Sequence, residues 1–100
     1  MRGKMAVIAY NGDTTYRVCS EPPPYEVLKE LIDGYIELVP GFNKFQDEHC
    51  IAYCNEEGKL LGLQRNDMAT KLWLQQHSTK DYLRGNVIIL YGDDDFMEAL

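Results

Sequence analysis

The chain has 100 residues, of which 45% are hydrophobic, so it has the length of about one domain and enough apolar residues to build a core without disulfides. Sixteen acidic residues against ten basic ones give a net charge of −6, and the Lys and Arg positions are scattered. That balance excludes a conventional nucleic-acid-binding face, which needs clustered positive charge. It leaves a solvated acidic surface, or one that docks onto a basic partner.

Residues 5–10 (Met-Ala-Val-Ile-Ala-Tyr) read as a strand that is apolar on both faces. Asn11-Gly12 follows, a hairpin signal because both residue types tolerate positive φ, and residues 14–19 resume with alternating β-forming residues. A hairpin over residues 5–19 is therefore expected. Pro22-Pro23-Pro24 stops the second strand, and proline is tolerated in a first helical turn. Val27, Leu28, Leu31 and Ile32 then fall on one helical face, with Glu26, Lys29, Glu30 and Asp33 opposite. The pattern predicts a helix over residues 24–33 capped by Gly34.

Residues 35–39 predict the next strand, ended by Pro40-Gly41. Residues 41–48 read as a loop whose Phe42 and Phe45 are core lids or part of a contact surface. Residues 49–54 and 59–63 predict two further strands joined by a turn at Asn55-Glu56-Glu57-Gly58. Asn66-Asp67 can cap a second helix whose buried face is Met68, Ala69, Leu72 and Trp73. The uninterrupted run Val87-Ile88-Ile89-Leu90 marks a central strand buried on both sides. Asp93-Asp94-Asp95 then opens a short terminal helix or an acidic tail. The order is β-β-α-β-β-β-α-β in a single α+β domain over residues 1–100. It implies two layers, one mixed or antiparallel sheet packed by two helices.

Catalytic chemistry does not assemble from these residues. The chain has no phosphate-binding glycine loop, no His-Glu-x-x-His and no Cys-x-x-Cys, so no enzyme, cofactor or metal site is expected. Cys19, Cys50 and Cys54 are odd in number, without a secretory signal ahead of them, and read as core thiols of an intracellular protein. No stretch approaches the ~20 apolar residues of a membrane span, so no membrane partner is expected.

Five polar positions stand out as candidate ligand- or partner-binding residues. Glu56 and Glu57 are turn residues, or else contact a partner or a cation. Asn66 caps the second helix, or its amide is free for ligand recognition if Asp67 takes the cap. Arg65 and Arg84 pair with acids such as Glu56 and Glu57, or converge on an anionic ligand in the bidentate manner of guanidinium. Tyr82 and Trp73 offer stacking faces beside them, Trp73 reading first as core.

Several segments together resemble a known family. They are Tyr35-Ile36-Glu37-Leu38-Val39, the turn Asn55-Glu56-Glu57-Gly58-Lys59-Leu60 leading to Leu63 and Arg65-Asn66, then Met68-Ala69-Thr70-Lys71-Leu72-Trp73, and Arg84-Gly85-Asn86-Val87. Over about residues 24–91 the chain is similar to the small phage, bacterial and large-virus proteins of domain of unknown function 3846. The resemblance implies a compact α+β domain from a virus or mobile element, acting in a host cytoplasm, and supplies no activity. Two functions follow as expectations. One is a non-enzymatic accessory protein that binds a host or viral protein. The other is a small-molecule or nucleotide-sequestering protein using Arg65, Asn66 and Arg84. A homo-oligomer fits both, because a small sheet leaves edges free to pair.

Overall fold

The computed structural model describes residues 1–100. The elements are β1 (Gly3–Ile8), β2 (Thr14–Cys19), α1 (Tyr25–Ile32), β3 (Ile36–Leu38), β4 (Lys44–Phe45), β5 (Glu48–Asn55), α2 (Asp67–Leu74), β6 (Val87–Gly92) and α3 (Asp94–Glu98). The main sheet runs β2-β1-β6-β5-β3, with β4 paired to β5, and every pairing is antiparallel. The fold is α+β, in the expected order of strands and helices.

β6 lies between β1 and β5 and is buried on both faces, as its apolar run requires. Val87, Ile89 and Tyr91 join Ala6, Ile8, Cys50, Ala52 and Cys54 in a cluster covered by Ala69 and Trp73 of α2. Ile88 and Leu90 point the other way and pack with Met5 against Leu28 and Ile32 of α1 and Phe96 of α3. Helices therefore cover both faces. This corrects the expected two layers to three, because the alternation along β6 gives each face apolar surface to bury.

The hairpin expected over residues 5–19 forms, but with a three-residue loop. Ala9 N–H donates to Asp13 C=O (2.8 Å), Gly12 N–H donates to Ala9 C=O (2.9 Å), and Gly12 alone in the loop has positive φ, +95°. That is a type I turn closed by a left-handed glycine. α1 ends in a left-handed residue as expected, yet it is Asp33 (φ 60°, ψ 49°) rather than Gly34. The side chain of Asn55 packs where a Cβ on Gly34 would stand, 2.6 Å from its Nδ2, so this glycine serves packing.

Residues 59–63 are not the expected strand. Leu61 N–H bonds to Glu57 C=O (2.8 Å), Gly62 N–H to Lys59 C=O (3.1 Å) and Leu63 N–H to Gly58 C=O (2.9 Å), so the segment coils into successive turns and leaves Leu60 81% exposed. The missing strand is β4, inside the stretch expected to be a loop. Gln46 (φ 51°) and Asp47 (φ 64°) both adopt left-handed backbone and close a two-residue hairpin between β4 and β5. Phe42 and Phe45 are buried lids of the α2-side core. Gln76 sutures this hairpin to the end of α2, its Oε1 accepting from Asn43 and Lys44 N–H (2.9 and 2.8 Å) and its Nε2 donating to Lys44 C=O (3.0 Å).

α2 buries Ala69, Thr70 and Trp73, whereas Met68, expected inside, is 45% exposed. Thr70 replaces it because its hydroxyl accepts from Leu83 N–H (2.9 Å). Trp73 Nε1 donates to Pro40 C=O (2.6 Å), and its ring stacks on His77 at 5.2 Å. Residues 94–98 are a helix rather than a frayed tail. Asp93 caps it through Phe96 N–H (2.9 Å) and accepts from Arg2 N–H (2.8 Å).

Phe96 is fully buried over the paired glycines Gly3 and Gly92, and a Cβ on Gly3 would overlap its ring. Phe96→Ala should lower unfolding stability by about 3–5 kcal/mol. Gly3→Ala should also destabilise, because ring and methyl cannot share the site. Urea denaturation checks both as a lower midpoint at unchanged slope.

Candidate functional site

Asn66 is the N-cap of α2 and is completely buried. Its Oδ1 accepts from Ala69 N–H (3.0 Å), while Nδ2 donates to Ile8 C=O (2.9 Å) and Gly85 C=O (2.8 Å). Both amide donors and the cap position are thus committed, and the amide holds β1, α2 and residues 83–85 together. Asn66 N–H donates to Leu83 C=O (2.8 Å) and Gly85 N–H to Gln64 C=O (2.7 Å), laying residues 64–66 antiparallel to residues 83–85. Gly85 has φ +71°, and a Cβ there would come 2.9 Å from Leu63 Cδ1, so both backbone and space call for glycine.

This short ladder makes Arg65 and Arg84 bridge partners. Their guanidinium carbons each lie 4.9 Å from the centroid of Tyr82, so the two cations share one aromatic ring. The expected pairing with Glu56 and Glu57 is absent. Arg65 Nε instead pairs with Asp67 Oδ1 (2.9 Å) on the exposed surface. Arg84 donates from one terminal nitrogen to Leu63 C=O (2.7 Å) and from the other to the Tyr82 hydroxyl (2.5 Å). Its Nε is buried without a partner.

Arg84 and Tyr82 form one wall of a cleft of about 480 Å³ on the α2 side of the sheet, next to β3. Glu37, Cys54, Trp73 and Asp81 line it too, with Glu56 and Lys59 from the turn. Arg65, Asn66 and Glu57 are not among its lining residues. Of the five candidates, Glu56 and Arg84 therefore meet in one place. Glu57 is a turn residue whose N–H donates to Asn55 Oδ1 (2.8 Å).

Lys59 Nζ pairs with Asp81 Oδ1 at 2.7 Å. The Lys59 hydrogen bond, then the Tyr82 N–H, hold the Asp81 carboxyl below its ordinary range. Burial pushes the Cys54 thiol up to about 12, helped by the charge of Glu37 and by a weak hydrogen bond to its carboxylate (3.8 Å). Cys50 is likewise raised to about 12 by burial. The cleft is therefore acidic toward β3 and cationic at Arg84, and Cys54 cannot serve as a thiolate nucleophile near neutral pH. Sequence reasoning missed Glu37, which shows only as the polar residue in an apolar strand. It also missed Asp81, which is 22 positions from Lys59 and has no local signature.

The chain is thus a small antiparallel-sheet domain carrying a polar cleft at one sheet edge. It belongs to the family described as domain of unknown function (DUF3846), whose family model matches residues 3–99. No curated protein and no solved structure matches it. No helix is long and apolar enough to cross a membrane.

Asn66→Ala should cost about 2–4 kcal/mol, from a lost cap and two stranded carbonyls. Thermal or urea unfolding reads it directly. The raised thiols give a second expectation. A folded pKa near 12 against an ordinary value of 9.0 means that Cys50 and Cys54 favour the fold fully below pH 9. Their contribution falls as pH rises from 9 toward 12, so denaturation midpoints should drop across that window, and less so in a Cys50→Ala, Cys54→Ala variant. At pH 8, thiol titration should find the half-buried Cys19, whose thiol burial also raises, reacting more slowly than a free thiol, and the other two protected until unfolding.

Proposed function

We propose that the domain is a non-enzymatic protein-binding module that takes an extended, basic segment of a host or viral protein along β3. One observation carries this reading: an open strand edge borders an acidic cleft. Tyr35 C=O accepts from Glu56 N–H (2.9 Å) and Val39 N–H donates to Ala52 C=O (2.9 Å), so ladder bonds to β5 fall on the odd positions of this segment. The N–H and C=O groups of Ile36 and Leu38 then face outward, where a peptide could add as the next strand. In such strand addition the main chain supplies affinity and side-chain pockets supply specificity. Glu37 and Glu56 are the cleft acids outside the Lys59–Asp81 pair, which favours a Lys or Arg side chain from the peptide. Leu38, 60% exposed, offers apolar contact on the opposite face. The viral or mobile-element source and the host-cytoplasmic setting implied by the resemblance belong to the same proposal.

A second reading, a small anionic ligand, is favoured by the buried, unpartnered Nε of Arg84. Because Arg65 lies outside the cleft and Asn66 has no donor left, it depends on Arg84 alone. Phosphate and nucleotides would raise the melting temperature of the parent but not of Arg84→Gln, and no rise at saturating ligand retires this reading.

For the leading reading the measurement is selection from a random peptide-display library, followed by fluorescence anisotropy with purified peptides. Enriched peptides should be extended and basic, and Glu37→Lys should weaken binding by about tenfold or more, with affinity falling as salt is raised. Failure to enrich any peptide, or binding indifferent to both Glu37→Lys and Glu56→Lys, overturns it.

A further inference from the structure

The opposite edge of the sheet has a different character. β2 pairs with β1 alone, and its six residues are all partly or fully exposed, Val18 at 82% and Tyr16 at 55%. Natural edge strands are usually protected by lysine, proline, bulges or covering elements. β2 carries neither lysine nor proline, and its one charge is Arg17. We propose that β2 is a homodimer edge, pairing antiparallel with β2 of a second copy about a two-fold axis through Tyr16.

The hydrogen-bond parity and the bounds of the strand together lead to that register. Ala9 N–H bonds to Asp13 C=O (2.8 Å), and on the other side of β1 Asp93 N–H bonds to Arg2 C=O (2.8 Å). Ladder bonds between β1 and β2 therefore fall on odd residues, and those between β1 and β6 on even residues of β1. Thr15, Arg17 and Cys19 bond inward to β1. Thr14, Tyr16 and Val18 present their N–H and C=O groups outward.

A perpendicular two-fold axis pairs residues of equal parity, so it must pass through a residue and not between two. Centring it on Thr15 would leave Val18 facing the second copy's Gly12 in the hairpin loop, and centring it on Arg17 would leave Thr14 facing Ser20 beyond the strand and set two Arg17 side chains opposite each other. Centring it on Tyr16 places Thr14 opposite Val18, so that every outward group of the strand finds a partner. It also sets Arg17 opposite Thr15 instead of a second Arg17, with Asp13 on one diagonal and the second copy's Arg17 on the other. Tyr16 stands on the α2 side beside Ala6, its hydroxyl accepting from Gln46 Nε2 (3.2 Å). The exposed Val18 side chain is covered by the second copy's Thr14. The two sheets then run on as one, with the two β3 clefts at its far ends.

Sedimentation equilibrium of the full chain over a wide concentration range tests the dimer, and directed disulfides test the register. In a Cys19→Ser background, Tyr16→Cys should cross-link to itself on mild oxidation, because paired Cα atoms sit about 5.5 Å apart, inside disulfide reach. Val18→Cys should not, since the two copies of position 18 lie about 14 Å apart along the strands. Of the backbone groups Tyr16→Pro removes only an outward N–H, and of the side-chain bonds only the exposed one from Gln46, so it should keep the parent circular dichroism while the dimer dissociation constant rises roughly tenfold or more. If proline disturbs the fold, Val18→Lys makes the same test by edge protection. A parent that sediments as a monomer throughout overturns the proposal. So does a dimer unaffected by both edge variants, or cross-linking through position 18 in place of 16.

Discussion

The side chain of Asn66 is the constraint on which the functional half of the molecule depends. It is a primary amide with no solvent exposure, holding the carbonyl at the end of β1, the carbonyl of Gly85 and the first turn of α2. A buried amide is tolerable only when its donors and acceptor are engaged, because each stranded group costs about 1–3 kcal/mol. The positions of α2 and of residues 83–85 are therefore set together. Tyr82 and Arg84 follow from that arrangement, since the ladder at Arg65 and Arg84 brings both cations to one ring.

The cleft inherits its electrostatics from three elements that are distant in sequence. Glu37 comes from β3, Glu56 and Lys59 from the turn after β5, and Asp81 and Arg84 from the segment before β6. Lys59 and Asp81 satisfy one another across the wall, and Arg84 is held by a carbonyl and a phenol. The remaining carboxylates stand at the side where the sheet edge is open. Charge and free backbone groups thus meet at β3, although no local motif marks the place.

What could be read from the sequence was what neighbouring residues decide. The first hairpin, α1, the Asn66 cap and the buried run of β6 each carry their cause within a few residues. Failures came where a distant partner overrode local preference. Gln46-Asp47 lacks the usual glycine signal, yet left-handed backbone is held there by the buried Phe45 on one side and β5 on the other. Residues 59–63 have strand composition, but the chain coils back on Gly58 and the segment joins no sheet. The cleft was half legible. Glu56 and Arg84 were visible as unexplained polar residues, while the role of Asn66 as a buried tie and the pairing of Arg65 with Asp67 depend on contacts that spacing does not encode.

The central place of β6 bears on how the chain folds during synthesis. β1 and β5 are each complete early, but the strand that joins them is the last of the six to leave the ribosome, and Gly3 pairs with Gly92 across almost the whole chain. Until then the β1–β2 hairpin and the β3–β4–β5 ribbon are separate, each with an unpaired apolar edge turned toward a neighbour not yet made. Loop-closure entropy must be met before that pairing is rewarded, so folding is a late, long-range event. The nascent chain is most vulnerable to mispairing just before residue 87 emerges, and the six residues that follow close both edges at once.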